Sequence, residues 1–347
     1  MLKKINVGII GLGHMGLLHF FSCLKLNSIV EVIGIADKSK NIRNKYSKYN
    51  INMYEDYHNL IDKEDLDCII ISLPNFVKKD CVKYASENSL DIFLDKPLGK
   101  NYEEAIEISH YVQKNGIRLM VGSNYRYHPN IRKVKNLYDD GRIGDIHLAD
   151  FELIMNGPFS HPLVPIPISE WYIDPERAGG GALLDLGYHL IDLDVWFFGV
   201  GGIFFSHLDN ILNLPVEDSV TIVIQHKERG LLSTVNAGWF SKIIFPEFNF
   251  RVNLHGTAGY LSTEKYSPKF MRLNAINEAL KNTLKKIMGK EINYLSYTYY
   301  YSSFFEIMRD FLSSIKSGED LSVSLKDQVE VMRLIDEAYS NNKNMRQ

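Results

Sequence analysis

In the run "GGGALLDLGYHLIDLDVWFF" (179–198), Asp185 and His189 stand four residues apart, with Asp192 three further on. Helical spacing would put all three on one face. A carboxylate beside an imidazole can move a proton near neutral pH. The same pair also serves as a satisfied polar contact fixing a core helix. Gly179, Gly180 and Gly181 come directly before it, and glycines let a backbone crowd a ligand, which favours the chemical reading. A third group comes from "IFLDKPLGK" (92–100), where Lys96 ends an apolar run and precedes Pro97. An ammonium at that place can stabilise charge developing on an oxygen.

Groups this far apart in sequence need a scaffold. Residues 5–10, 30–37, 66–74, 90–95 and 117–122 read as short buried strands, with helical stretches between them, including one over 102–115. That alternation predicts a parallel sheet flanked by helices. "GIIGLGHMG" (8–16) places G-x-G-x-x-G after the first strand and at the opening of a helix. Gly11 permits the tight turn, Gly13 lets the backbone approach a pyrophosphate, and Gly16 allows close helix–strand packing. Asp37 ends the next strand, 21 residues after Gly16, where a carboxylate accepts from ribose hydroxyls. It repels a 2′-phosphate, so NAD is expected. Lys38, Lys40 and Arg43 keep NADP as the alternative.

The chain has 347 residues, enough for about two domains. With 39 basic and 42 acidic side chains its net charge is −3, which does not favour nucleic acid as a partner. Cys23, Cys68 and Cys81 share no metal-like spacing, and an odd number cannot all pair. A reducing, cytoplasmic setting is expected. The apolar N-terminus is read as the first strand rather than a secretory leader, because glycines interrupt it and no A-x-A-like cleavage site follows. Residues 195–205 are apolar but too short to span a bilayer, so no membrane partner is expected. No metal site is expected either.

At "GIIGLGHMG", at "DKP" (95–97) and at "GGGALLDLGYHLID" the chain resembles the glucose–fructose oxidoreductase / inositol dehydrogenase (Gfo/Idh/MocA) family. The resemblance runs along nearly the whole chain, least distinctly over the last 80 or so residues. Asp95 stands where the family usually has glutamate. The resemblance implies an α/β chain: an N-terminal Rossmann domain, doubly wound on a parallel sheet (1–123), and a C-terminal α+β substrate and oligomerisation domain with a large open, mostly antiparallel sheet (124–347). It implies that Lys96 holds the reacting hydroxyl, that His189 is general base in oxidation and acid in reduction, and that Asp185 orients substrate and imidazole. It also raises the chance that the Lys96–Pro97 bond is cis. The cofactor is assigned Gly11, Gly13, His14, Met15, Gly16, Asp37, Lys38, Ser72, Pro74, Asn75 and Lys96. The substrate is assigned Tyr125, Arg126, Tyr127, Trp171, Asp185 and His189. The expected reaction is hydride transfer at a secondary alcohol carbon of a sugar, nucleotide sugar or cyclitol, by a homo-oligomer (dimer or tetramer). The alternatives are a dinucleotide-dependent sensor that does not catalyse, or a dihydrodiol dehydrogenase-like enzyme.

Elsewhere, residues 122–146 read as a loop, a basic helix and a turn. Strands are expected at 146–155, 202–208, 218–226, 230–240 and 249–256, then a strand–turn–strand over 255–263, and two amphipathic helices close the chain. His14, His110, His207, His226 and His255 read as surface or loop residues whose imidazoles have no assigned chemistry. The aromatic run 294–305 reads as core or interface.

Overall fold

The computed structural model describes residues 3–158, 169–239, 249–267, 271–290 and 300–345. The first layer is a parallel sheet of β1 (Ile5–Ile10), β2 (Val30–Ala36), β3 (Asn52–Tyr54), β4 (Cys68–Ile71), β5 (Asp91–Leu94) and β6 (Leu119–Val121), in the order β3-β2-β1-β4-β5-β6. Helices α1 (His14–Lys25), α2 (Lys40–Tyr46), α3 (Tyr57–Lys63), α4 (Asn75–Glu87) and α5 (Tyr102–Asn115) alternate with the strands. All of β4 is buried, as is nearly all of β1. Helices cover both faces, so these strands read as unbroken apolar runs. The strand order reverses between β1 and β4, and in sheets of this kind ligands bind at the C-terminal edge of such a switch point. The edge strand β3 was not anticipated, because three residues carry no readable alternation.

Next come α6 (Pro129–Asp139), α7 (Pro175–Ala178) and α8 (Tyr188–Phe198). The second sheet contains β7 (Ile146–Met155), β8 (Gly202–Asp209), β9 (Ser219–His226), β10 (Leu231–Trp239), β11 (Asn249–Gly256) and β12 (Gly259–Ser262). Their order is β12-β11-β7-β10-β9-β8; β7 and β10 run parallel and every other pair antiparallel. Burial alternates along β9 and β10, the signature of a sheet with one covered face. The almost wholly buried α8 shares the core of that face.

Helices α9 (Met271–Ile287), α10 (Tyr300–Ser317) and α11 (Leu325–Met345) follow. Helix α10 returns to the first sheet, where Ile307, Met308, Phe311 and Leu312 pack with Phe20, Phe93 and Met120. Residues 124 onward therefore complete the core of the first layer as well as the second. Helix α9 was not anticipated from the sequence. His226 is not a surface residue: it is buried and its Nε2 lies 2.9 Å from Asp194 Oδ2. Of the aromatic run, 294–299 lies outside the described residues, while Phe304 is buried beside Leu18.

Candidate active site

The glycine turn joins β1 to α1. Gly11 has φ +86°, and a Cβ there would lie 2.3 Å from the Ser72 carbonyl oxygen; a Cβ on Gly16 would lie 1.8 Å from that of Gly11. A Cβ on Gly13 would meet nothing within 4 Å. Two of the glycines thus serve the protein's own packing, and the third faces open space. No side chain caps the start of α1, which leaves its first-turn N–H groups available to an anion. His14 is exposed at that start, and Met15 packs against Leu18 and Phe304. Asp37 accepts from Leu12 N (2.7 Å) through Oδ2 and from Ser39 N (2.8 Å) through Oδ1, which holds its carboxylate beside the turn. Lys38 is exposed. Arg43 is committed elsewhere, to the carbonyls of Asp37 and Lys38 and to Glu55 at 2.8 Å. Ser72 N donates to the Ile10 carbonyl, Pro74 directly precedes α4, and Asn75 Nδ2 reaches the Ala178 carbonyl at 2.8 Å. An open turn, an uncapped helix start and a fixed carboxylate fit a dinucleotide.

Lys96 follows β5, and its bond to Pro97 is cis. Beneath it, the buried Lys78 of α4 donates to the Asp95 carbonyl (2.8 Å) and the Lys96 carbonyl (2.7 Å). Burial pushes the Lys78 amine down to about 7. The buried His19 lies 2.7 Å from Asp95 Oδ1 through Nε2, tying α1 to the same strand end. The Lys96 Nζ donates to Asp185 twice, to Oδ1 at 2.8 Å and to the backbone carbonyl at 2.9 Å.

Asp185 lies in a π-helical turn, Leu183–Gly187, that leads into α8. Its Oδ1 also accepts from Tyr172 Oη at 2.6 Å, and its Oδ2 from Trp239 Nε1 at 3.2 Å. His189 is buried, with its ring 4.2 Å from that of Tyr125, and its Nδ1 has no partner among the described residues. Burial, then the Lys96 charge, then His128 push His189 well below the ordinary imidazole range. At neutral pH it is therefore an uncharged base.

Asp185, His189 and Asp192, expected on one helix face, have separate partners. Asp185 orients the Lys96 ammonium rather than the imidazole. Asp192 turns away into a buried pair with Arg126 (2.7 Å) and a bond from Gln328 (2.6 Å). Arg126, assigned to the substrate, is 3% exposed, and its guanidinium is shared between Asp192 and Asp327. Tyr127 is buried too, with its hydroxyl on Asp310 and Ser322. Trp171 is half-buried, edge-on to Phe76 of α4 and next to Tyr172. The glycine triplet crowds protein, not a ligand. Added Cβ atoms would meet Lys100 O at 2.4 Å from Gly179, Tyr339 Oη at 1.9 Å from Gly180 and Glu217 O at 2.0 Å from Gly181. Sequence reading missed Tyr172 and Trp239. Tyr172 adjoins the assigned Trp171, but nothing local in the sequence marked Trp239.

Among the described residues no group of His, Cys, Asp and Glu stands in a metal-ligating cluster. Residues 5–123 match the family model described as oxidoreductase family, NAD-binding Rossmann fold, and residues 131–262 match the GFO/IDH/MocA C-terminal domain. The uncharacterized oxidoreductase YrbE of Bacillus subtilis is 30% identical over 201 residues, 57% of this chain and 55% of its own length. The myo-inositol 2-dehydrogenase of Thermotoga maritima is 22% identical over 93% of this chain and 92% of its own. The WlbA dehydrogenase of Bordetella pertussis, solved with NADH and UDP-GlcNAcA, shares the fold at TM-score 0.80 and 14% identity, over 99% of this chain and 97% of its own. Family models over both halves, and a glycine turn and carboxylate shaped for NAD, place this chain in the GFO/IDH/MocA family of NAD-binding oxidoreductases.

Proposed function

We propose that the protein is an NAD-dependent dehydrogenase or reductase acting on a secondary hydroxyl of a sugar, nucleotide sugar or cyclitol. The observation that carries this reading is Lys96 held by Asp185 beside a buried, uncharged His189. Bound nicotinamide supplies the hydride acceptor or donor. An ammonium has three N–H donors. Among the described residues Lys96 gives two of them to Asp185, which leaves the third for the reacting oxygen. In oxidation His189 takes the hydroxyl proton as the C–O bond becomes double, and in reduction it returns that proton. Asp37, with Arg43 tied to Glu55, favours NAD over NADP. The substrate class rests on relatives named for myo-inositol or solved with a UDP-sugar.

The division at 123/124 and a dimeric or tetrameric assembly belong to the same proposal. Tyr260, His255, Leu148 and Leu232 form one row across β12, β11, β7 and β10, and its three large apolar members are exposed. Such a face suits contact with a second subunit.

The test is incubation with NAD and a panel of cyclitols, aldoses and UDP-sugars, read at the nicotinamide absorbance. His189→Ala and Lys96→Met should each lower turnover at least ~100-fold while NAD still binds. Wild-type turnover in both variants would remove the assignment. NAD binding with no reduction on any substrate would favour the sensor.

A further inference from the structure

Helix α9 and the residue after it carry an apolar stripe at Leu273, Ile276, Leu280, Leu284, Ile287 and Met288, each three or four residues from another member, which keeps them on one side of a helix. These six side chains are 49–77% exposed. Among the described residues no other helix or strand packs along α9.

The charge of this segment runs against that of the rest of the chain. Residues 271–290 hold Arg272, Lys281, Lys285, Lys286 and Lys290 against the single carboxylate Glu278, a net of +4. The whole chain is −3, so the remaining 327 residues carry −7. By helical position Lys281 lies along one border of the stripe, with Lys285 just beyond it. Two copies of α9 packed stripe to stripe would set these cations against their equivalents, which disfavours self-pairing.

We propose that α9 lies in the plane of an anionic lipid surface, its stripe among the acyl chains and its lysines at the headgroups. Long lysine stems suit that arrangement, since they reach past apolar surface to place the charge in the polar zone. Spanning is not involved: no described helix is long and apolar enough to cross a membrane. The expectation of no membrane partner weighed only spanning runs, and a helix lying flat has a different signature. Net charge and exposed apolar area together select acidic headgroups over a neutral bilayer.

The test is flotation of the full chain with vesicles of phosphatidylcholine alone and of phosphatidylcholine with about 30% phosphatidylglycerol. Binding to the anionic vesicles should be at least ten-fold tighter, and raising salt from about 0.1 M to about 0.5 M should weaken it. Leu280→Gln with Leu284→Gln, and separately Lys285→Glu with Lys286→Glu and Lys290→Glu, should each lower binding at least ten-fold without moving the melting temperature, because these side chains lie towards the surface. No flotation with either vesicle, equal binding to both, or unchanged binding by both variants overturns the proposal. So does light scattering that shows the Leu280/Leu284 variant losing a subunit contact when the wild type ignores vesicles; the stripe would then be a protein interface.

Discussion

His189 stays unprotonated at neutral pH because its surroundings give a charged imidazole no compensation: an aromatic ring on its face, an ammonium nearby, and Nδ1 with no partner among the described residues. A base works only when unprotonated, so the rate of oxidation falls as pH drops through the His189 pKa. With that pKa below 6.5, the acid limb of kcat/KM for oxidation should lie below pH 6.5. Tyr125→Ala would admit water to the ring and should move that limb upward, which a pH–rate profile reads directly. The carboxylate of Asp185 makes a different demand. Two donors, Tyr172 Oη and Trp239 Nε1, fix it, and through it Lys96. Removing one, by Tyr172→Phe or Trp239→Phe, should lower kcat roughly ten-fold, the worth of about one hydrogen bond, with NAD affinity unchanged.

At the level of elements, the glycine turn separates contributions that one motif lumps together. Gly16→Ala drives a methyl into the Gly11 carbonyl, so it should lower both the melting temperature and NAD affinity. Gly13→Ala meets no protein atom, so it should melt like wild type and show its loss only in NAD binding, by calorimetry. The turn, Asp37 and the Lys96 strand end were legible because each is a local pattern, a few residues whose spacing dictates their geometry. The strands of both sheets, β3 apart, were legible for the same reason. What was not legible is what a single sequence does not encode locally. Trp239 lies 54 positions from the carboxylate it holds, and Asp327 lies 201 from Arg126. A cation near a substrate-binding motif reads like a ligand contact until its partners are in view. The shared face of Asp185, His189 and Asp192 assumed an unbroken α-helix, and the π turn at Leu183–Gly187 removes that assumption.

On the scale of the whole molecule, two layers are joined by buried polar groups as well as by the apolar core. Arg126 follows the last strand of the first sheet, Asp192 lies in α8, and Gln328 and Asp327 lie in α11. Arg126→Met would leave Asp192 buried without its cation, at a cost of about 3–5 kcal/mol, to be read from urea unfolding. Lys78 has a different consequence. An amine that holds its proton to about pH 10.5 when unfolded, but only to about 7 when folded, lets the unfolded chain bind more protons between those values. Its contribution makes the native state firmer as pH rises from neutrality. The buried thiols of Cys23, Cys68 and Cys81 act in the opposite sense, since burial raises each above 9.0 and only the unfolded chain ionises them there. Denaturation midpoints followed across pH should therefore climb from about 7, crest before about 9 and decline beyond. In Lys78→Met the climb should vanish while the decline stays. The alkaline shoulder of this protein's endurance would then be traceable to one amine clasping the carbonyls of Asp95 and Lys96.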